Sequence, residues 1–556
     1  MPWTIVVAVL AAALATAQPI AVAGGPLRPG NNTGQPKFKP EELCNLEGTV
    51  KDEQTDQPIG KASLLLYRVS GSQPYSSSSD ASGKFAFKGV EPGQYRMSVS
   101  RTGYARLEYG ASSGSRPGTT LRLEKSQALK GLDVKLTPHA VITGRVVDSD
   151  GEPVAWAQVQ ALRSSFRSGK KQWLPFGNAS TNDLGEYRMF GLSAGRYLVS
   201  AISRSFDQGD GAIDASGREG SEGPVLTYHP GVTESEQGSQ VNVPKGGRVQ
   251  GIDIALAKGK GYVVKGRVTG MPNRSTPVMA MLYPRNPEIG MMGLDRGFAQ
   301  VQPDGTFEIR RVRPGLYTVN VQVQDQESRL SGRADVDVVD GDAGNVSVIL
   351  QAGFEVKGTV RVEGGGSAKL DECRVSLTPK VQGGFLYFGG GGGAIKDDGS
   401  FALRDIRQGK YTVRLYKMPD GHYLKSARMG PADAMADDFE IGGPGELELV
   451  LSSKAAKVEG SVTNAKGEAA SATVLVIGTD KNRQGTQNVT TDQSGRFTVQ
   501  GLAPGDYSVI AIEDYEPGMD QVPEFLKLNS KFVEKVTLRE GSAEAKTLKS
   551  TLAILE

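Results

Sequence analysis

Histidine is the side chain on which most metal-dependent hydrolases rely, and this 556-residue sequence has three: His139, His229 and His422. A zinc peptidase needs spacings such as His-x-x-Glu or His-Glu-x-x-His, because two ligands from one element must reach the same metal. None of the three histidines has glutamate three positions after it, and none begins a His-Glu-x-x-His. The sequence therefore predicts no zinc peptidase and no catalytic residues.

Ser112 has the spacing of a hydrolase nucleophile, since it lies in Gly110-Ala-Ser-Ser-Gly114. A nucleophile elbow must lie between a strand and a helix, whereas this stretch is rich in serine and glycine and precedes a predicted strand over 119–123. The glycine run over 389–393 satisfies a dinucleotide-binding pattern, but no helix or βαβ unit accompanies it. Both segments are predicted to be loops, and no cofactor is expected.

Two acidic turns offer oxygen atoms of the kind that bind Ca²⁺, at Asp148-Ser-Asp150-Gly-Glu152 and at Asp397-Asp398-Gly. Calcium takes six to eight oxygen ligands, and neither turn has the spacing of a calcium loop. Asp-Gly is also a common β-turn pair. We therefore predict turns without a metal.

Exposed aromatic side chains are a stronger indication of binding, because sugar rings and apolar ligands stack on flat rings. Trp173 and Phe176 lie in the second of five repeated units described below, and Phe385, Tyr387 and Phe388 lie at the corresponding place in the fourth. Both clusters precede a glycine-aromatic turn, in a segment predicted to be a connecting loop. These five side chains are the predicted ligand-binding residues.

The third unit has Met291, Met292 and Phe298 in the corresponding segment. Equivalent loops of equivalent domains lie at the same end, so the three insertions predict a repeated binding edge. The alternative interpretation is that the same side chains pack against a neighbouring domain. Both interpretations stay open on the sequence.

Three short glycine motifs recur five times along the chain, and successive copies lie about a hundred residues apart. The first motif, Gly-x-Val, begins at Gly48, Gly144, Gly266, Gly358 and Gly460. The second, Gly-x-aromatic, ends at Phe85, Tyr187, Phe307, Phe401 and Phe497. The third, Gly-x-Tyr, follows at a constant offset and ends at Tyr95, Tyr197, Tyr317, Tyr411 and Tyr507. The constant offset indicates a tandem array.

Side chains around the second and third motifs alternate between apolar and polar. Phe307 and Ile309 share one face of a predicted strand, and Tyr317, Val319 and Val321 share one face of the next. A Pro-Gly pair between them is typical of a tight reversal. Short alternating strands without a long helix predict an all-β chain, a tandem array of antiparallel β-sandwich domains.

The order Gly-x-Val, then Asp-x-x-Gly-x-Phe as over 492–497, then Pro-Gly-x-Tyr resembles the carboxypeptidase regulatory-like domain. That family has a transthyretin-like (prealbumin-like) sandwich related to starch-binding-like and collagen-adhesin modules. The resemblance covers nearly all of the chain from residue 43 onward. It implies seven-stranded modules that accompany enzymes, receptors and surface proteins without catalysing a reaction themselves.

The motifs and the composition of the N-terminus predict seven segments. They are a signal peptide (1–23), a flexible linker (24–42) and five β-sandwich repeats (43–139, 140–260, 261–353, 354–455 and 456–556). These repeats are called repeats 1 to 5 below.

Composition excludes several classes of partner and fold. Lys and Arg number 64 against 62 Asp and Glu, without a long basic block, so nucleic acid is not an expected partner. The sequence has two cysteines, Cys44 and Cys373, in different repeats. A disulfide framework is therefore not the source of stability.

The first residues contain an apolar run over 5–14 followed by small residues, which predicts a secretory signal cleaved after Ala17 or Ala23. No other segment is apolar enough to span a membrane. We expect an exported, non-catalytic protein of the periplasm, cell surface or medium, arranged as a rod or a bent chain. It binds polysaccharide or envelope proteins, or it is purely structural.

Overall fold

The computed structural model describes residues 38–555, except 70, 72, 115, 168, 204–221, 273–276, 286–296, 325–328, 365–368, 381–390, 437–438 and 480–484. The predicted signal peptide and most of the predicted linker lie outside these residues. No helix in the described part of the chain has the length and apolar character that a membrane crossing requires.

Repeat 1 is formed by β1 (Cys44–Asp52), β2 (Ser63–Arg68), β3 (Tyr75–Ser78), β4 (Lys84–Val90), β5 (Gly93–Ser100), β6 (Leu107–Glu108), β7 (Leu121–Leu123) and β8 (Ala128–Leu136). Repeat 2 is formed by β9 (Ala140–Val147), β10 (Gln158–Arg167), β11 (Lys170–Ser180), β12 (Glu186–Leu192), β13 (Gly195–Ile202), β14 (Glu222–Pro224), β15 (Thr227–Tyr228), β16 (Gln240–Val243), β17 (Arg248–Val249), β18 (Ile254–Ala255) and β19 (Lys258–Lys260).

Repeat 3 is formed by β20 (Tyr262–Thr269), β21 (Val278–Pro284), β22 (Gly297–Val301), β23 (Thr306–Val312), β24 (Gly315–Gln324), β25 (Arg329–Val338), β26 (Ala343–Ile349) and β27 (Gln351–Ala352). Repeat 4 is formed by β28 (Phe354–Glu363), β29 (Arg374–Pro379), β30 (Gly392–Ala394), β31 (Ser400–Ile406), β32 (Gly409–Tyr416), β33 (Tyr423–Met429), β34 (Ala432–Asp433), β35 (Glu440–Ile441) and β36 (Gly445–Ser452).

Repeat 5 is formed by β37 (Ala456–Thr463), β38 (Thr473–Gly478), β39 (Gln487–Thr490), β40 (Arg496–Leu502), β41 (Gly505–Ile512), the short helix α1 (Phe525–Leu528), β42 (Glu534–Leu538) and β43 (Ala543–Thr551). Single 3₁₀ turns occupy Pro40–Glu42, Ser235–Gln237, Met519–Gln521 and Ser530–Phe532. The predicted all-β class is confirmed.

The first strand of each repeat has the same two neighbours. In repeat 1, β1 pairs antiparallel with β4 and parallel with β8. The same pattern holds for β20 with β23 and β26, and for β37 with β40 and β43. The pairings between the described strands are therefore antiparallel, as predicted, except for this parallel pairing of the first strand with the closing stretch and a short parallel pairing of β41 with β43 in repeat 5.

Alternating side chains bury one face of each sheet, and the buried residues form one principal core per repeat. In repeat 3, Phe307, Ile309, Tyr317, Val319 and Val321 are all at most 4% exposed. The predicted strand faces are confirmed there. A sandwich forms because each sheet has an apolar face that must be covered by the other.

The glycine of each Gly-x-Val motif allows the close approach of two backbones. A Cβ at any of the five positions would lie well under 3.0 Å from a carbonyl oxygen of the closing stretch. In repeats 1 and 3 the register of the parallel pairing shifts directly before this glycine, at a β-bulge. The motif is therefore a packing requirement of the fold.

In repeats 1, 2 and 5 the tyrosine of the Gly-x-Tyr motif makes a hydrogen bond to the turn that precedes it. The hydroxyl of Tyr197 donates to the carbonyl oxygen of Ser193 at 2.7 Å, and that of Tyr507 donates to Ala503 at the same distance. Tyr95 makes the equivalent bond to Glu91. Such a tyrosine corner gives a hydrogen-bond donor to a turn carbonyl that would otherwise have no partner beside the buried ring.

We expect Tyr197→Phe to lower the free energy of unfolding of repeat 2 by about 1–2 kcal/mol, because the Ser193 carbonyl loses its partner. Denaturant unfolding followed by tryptophan fluorescence measures this. Phe190→Leu is the matched control, since Phe190 is 67% exposed in the same repeat. Equal unfolding midpoints for the two variants would contradict the corner's contribution.

Candidate functional site

Trp173 and Phe176 lie in a strand, and the prediction of a connecting loop at this place is wrong. Both are in β11, which pairs with β10 from Gln158↔Ser180 to Arg167↔Lys170. A long hairpin forms here because β10 and β11 continue past the body of the sandwich. The two aromatic side chains are therefore held in a regular ladder.

Trp173 is half-buried and contributes to packing. It contacts an apolar cluster made by Leu162, Leu198, Leu226 and Tyr228 on the outer side of the second sheet of repeat 2. This cluster is separate from the core of the sandwich. The ring is thus partly covered by its own repeat.

Phe176 is 40% exposed. Its ring centroid lies 5.8 Å from that of Tyr197, and the guanidinium of Arg163 lies 5.5 Å from it. These two neighbours cover part of the ring, and the rest of the side chain is open to solvent. Of the two aromatic residues predicted in repeat 2, Phe176 has the more accessible surface.

The predicted binding residues Phe385, Tyr387 and Phe388 lie outside the described residues, as do Met291 and Met292. Phe298 of repeat 3 is described and is 51% exposed. It pairs across β21 and β22 with Met281, which is 44% exposed. These two side chains form an apolar ledge on the outer face of repeat 3.

The three histidines are in separate surroundings, and none approaches a nucleophile through a described hydrogen bond. The Nδ1 atom of His229 lies 2.6 Å from the carbonyl oxygen of Asp253, and that of His422 lies 3.0 Å from the carbonyl oxygen of Asp420. Partial burial lowers the pKa of His139. Within the described residues, no group of three or more His, Cys, Asp or Glu side chains is placed to hold a metal.

The acidic turns use their carboxylates as acceptors for backbone N–H groups. Asp148 Oδ1 accepts from the backbone N–H groups of Asp150 and Glu152 at 2.9 and 3.0 Å. In the second turn, Asp398 Oδ1 accepts from Ser400 at 2.9 Å. This hydrogen bonding lowers the pKa of Asp398.

The serine in the nucleophile-like spacing joins two repeats. The Ser112 hydroxyl donates to the Asp514 carboxylate of repeat 5. Nearby, Arg116 forms an ion pair with Glu516 at 3.4 Å, and both side chains are about 20% exposed. Ser112 and Arg116 are therefore part of a contact between the first and the last repeat.

That contact continues along the strands with backbone pairing. The N–H of Thr120 donates to the carbonyl oxygen of Thr491 at 3.2 Å, and the hydroxyls of Thr120 and Thr490 are 3.0 Å apart. The amide side chain of Gln493 bonds the backbone of Arg122 in both directions, at 2.9 and 3.0 Å. Repeats 1 and 5 are joined by a matched polar seam.

Repeat 5 also contacts repeat 2. Phe166, at the end of β10, packs into a second apolar cluster of repeat 5 that includes Ile512, Tyr515 and Phe525. This cluster forms because the segment between β41 and β42, with α1, covers the outer face of the sheet. The long hairpin of repeat 2 therefore has a packing partner at its tip.

Arginine side chains connect the middle repeats. Arg313 of repeat 3 donates to the carbonyl oxygens of Leu226 and Thr233 in repeat 2, at 3.4 and 3.3 Å. Arg407 of repeat 4 donates to Ser331 and Gln351 of repeat 3, at 2.9 and 3.1 Å. Both arginines stand two residues before the glycine of Gly-x-Tyr.

The remaining neighbours are joined by a few polar contacts. Lys245 of repeat 2 forms an ion pair with Glu53 of repeat 1 at 2.5 Å, and Tyr423 of repeat 4 donates to Glu540 of repeat 5 at 2.9 Å. Repeats 2 to 5 thus form a closed circuit, with repeat 1 held between repeats 2 and 5. The expectation of an extended rod is wrong, because the last repeat returns to the first two; the bent alternative agrees with the structure.

A polar cleft lies between repeats 3 and 4, with a volume of about 1060 Å³. Its floor is the outer face of β21, β24 and β25, and its wall is the turn before β32 of repeat 4. Among its lining residues are Tyr283, Thr318, Asn320, Gln322, Arg333, Lys380 and Lys410.

Sequence reasoning missed this cleft. Its side chains stand at outward positions of ordinary strands, where polar residues are expected in any sandwich. One signal was present: repeats 3 and 4 have arginine two residues before the turn glycine, where repeats 1, 2 and 5 have Glu91, Ser193 and Ala503. The arginine is thus present in the two repeats whose turn donates hydrogen bonds to the preceding repeat.

Comparison with known families matches two parts of the chain. Residues 45–137 and 457–547 match the carboxypeptidase regulatory-like domain. These segments correspond to repeats 1 and 5. No curated protein matches the chain.

Solved structures that resemble the chain include three bacterial proteins. A Bacillus anthracis protein described as TIE is 11% identical, with 74% of each chain covered and a TM-score of 0.15. A minor pilin of Streptococcus agalactiae is 12% identical over 42% of this chain and 98% of its own, with a TM-score of 0.23. The major pilin of Streptococcus pneumoniae is 8% identical over 92% and 99%, with a TM-score of 0.13.

Proposed function

We propose that this chain, whose first and fifth repeats match the carboxypeptidase regulatory-like domain, is an exported, non-catalytic scaffold that binds polysaccharide at the bacterial cell envelope. The predicted signal peptide supports export. A regulatory-like module supports binding or assembly rather than catalysis. Periplasm, outer surface and medium are all compatible with this proposal.

The closed circuit of repeats is the observation that carries the proposal. Contacts between repeats 5 and 1 and between repeats 5 and 2 constrain the angles at every junction, so the clefts between repeats have a defined shape. Preorganised concave surfaces bind with a smaller entropic cost than surfaces that must be assembled.

The aromatic residues predicted from the sequence remain part of this proposal as secondary contacts. Phe176 and Phe298 present exposed ring surface on which a sugar can stack. Trp173 has a smaller part in it, since it packs within repeat 2. The proposal does not depend on these rings.

A binding assay on the mature chain, residues 24–556, tests the function. We expect saturable binding to at least one member of a panel of plant, fungal and bacterial polysaccharides, measured by depletion of protein from solution. The bare matrix and the heat-unfolded chain are the controls.

A panel without saturable binding would contradict the proposal. The second candidate, a purely structural envelope or matrix protein, would then be favoured. The polar seam between repeats 1 and 5 is the observation that supports that candidate, because it stabilises shape alone.

A further inference from the structure

We infer that the cleft between repeats 3 and 4 is the binding site and that its ligand is an anionic polysaccharide segment. This inference rests on the proposed function and adds to it a place, a charge and a set of residues. It is carried by three properties of the cleft: its charge, its floor and its size.

The cleft has an excess of positive charge. Its lining contains five cationic side chains and two carboxylates. The cations are Arg285, Arg333, Lys380, Arg407 and Lys410, and the carboxylates are Asp335 and Glu440. A concave surface lined mainly by one sign of charge attracts ligands of the opposite sign.

The cationic side chains of the cleft differ in whether they already have partners within the protein. Arg285 forms ion pairs with Asp335 and Asp337, and Arg407 donates to backbone carbonyls that hold the two repeats together. Arg333 and Lys410 are exposed on opposite sides of the cleft and have no ion-pair partner among the described residues. These two cations are the ones placed to meet the carboxylates or other anions of a ligand.

The central strand of the cleft floor, β24, offers no free edge for recognition by strand addition. Both edges of β24 are paired, with β21 on one side and with β25 over ten residue pairs on the other. A peptide that adds to a sheet needs a free edge, whereas here a ligand meets only the side chains of a sheet face. Asn320, Gln322 and Thr318 on this face offer amide and hydroxyl groups, which suit a ligand rich in hydroxyls.

The floor also has apolar surface in line with the polar groups. Successive outward positions of β21 place Met281 and Tyr283 on one face, and Phe298 stands opposite Met281. Sugar rings have apolar faces that pack on such side chains while their hydroxyls reach polar neighbours. The apolar ledge therefore extends the cleft floor.

The size of the cleft favours a chain segment over a single small molecule. Its volume of about 1060 Å³ is at the upper end of the ~300–1,000 Å³ that small-molecule pockets have. The described residues do not fully enclose the cleft, so a polymer can continue beyond it. A run of several acidic sugar residues fits these limits.

Polygalacturonate and its highly methyl-esterified form are matched probes, because they share one backbone and differ in charge. We expect the mature chain to bind polygalacturonate, to bind the esterified form at least tenfold more weakly, and to lose affinity as salt is raised. Arg333→Glu/Lys410→Glu should weaken binding to polygalacturonate at least tenfold. Circular dichroism and thermal unfolding establish that this variant is folded.

Arg374→Glu/Lys396→Glu is the control variant, since it makes the same change in net charge at exposed positions of repeat 4 outside the cleft. It should bind as the parent does. Equal weakening of binding by both variants, or no weakening by the cleft variant, would overturn the inference about the cleft. The proposed function would still stand in either case if the chain bound polysaccharide. Binding of poly-glutamate as tightly as polygalacturonate would overturn the ligand class, and a parent chain that binds no polysaccharide would overturn both proposals.

Discussion

Replacing Gly144 by alanine should destabilise repeat 2 by about 3 kcal/mol or more, which is a large effect for the addition of one methyl group. A Cβ at this position would overlap the carbonyl group of Ile252. The clash is between the added Cβ and backbone atoms of Ile252, so no side-chain rotation relieves it. The two strands must move apart, and the parallel pairing of β9 with β17 and β18 is then weakened.

The tryptophans of the chain make this measurement specific. Beyond the predicted signal peptide the sequence contains two, Trp156 and Trp173, and both are in repeat 2. Denaturant unfolding followed by tryptophan fluorescence therefore reports on that repeat within the whole chain. We expect the Gly144→Ala transition at a clearly lower denaturant concentration.

Arg145→Ala is the matched control, one residue along the same strand. The Arg145 side chain is exposed and forms a surface ion pair with Glu186 at 3.6 Å. Its removal should change the free energy of unfolding by less than about 1 kcal/mol. If Gly144→Ala and Arg145→Ala unfold together, the explanation of the Gly-x-Val motif is wrong.

The variant Thr119→Cys/Ser471→Cys should form an intramolecular disulfide in high yield on mild oxidation. The hydroxyl oxygens of these residues are 2.7 Å apart across the seam between repeats 1 and 5, although 352 positions separate them in the sequence. Sulfur atoms in their place need only a small adjustment to reach bonding distance. In an extended array the two residues would lie far apart, on the first and the last domain, and could not form this disulfide.

Non-reducing gel electrophoresis reads the result, because a cross-link that encloses most of the chain makes the denatured protein more compact and alters its mobility. Thr119→Cys/Ser542→Cys is the control, since Ser542 lies at the junction of repeats 4 and 5. Absence of an intramolecular product from the Thr119/Ser471 pair, or an equal yield from both pairs, would show that repeat 5 does not return to repeat 1.

The native cysteines do not complicate this test. Cys44 and Cys373 are buried, and their thiols donate to the carbonyl oxygens of Glu124 and Lys417. Burial also raises the pKa of the Cys373 thiol, so less of the reactive thiolate is present at neutral pH.

The candidate site was only partly accessible to sequence reasoning. Trp173 and Phe176 were found because aromatic side chains are rare and conspicuous, but their pairing in β11 depends on how far β10 continues, which composition does not indicate. Arg333 and Lys410 gave no signal, because isolated exposed cations occur on every soluble domain. They become a site only when two sandwiches meet.

The sequence by itself determined the unit of this protein. Each repeat needs glycines where two backbones are in close contact, tyrosines that hydrogen-bond to turns, and apolar side chains at every second position. These are requirements within a single domain, so the sequence shows all of them within about a hundred residues. The tertiary structure alone decided how the units join. Thr120 meets Thr490, and Arg407 meets Ser331, through ordinary polar surfaces. Contacts of that kind leave no periodic pattern in the sequence. Which residues meet depends on the angles at all the junctions between the repeats that carry them.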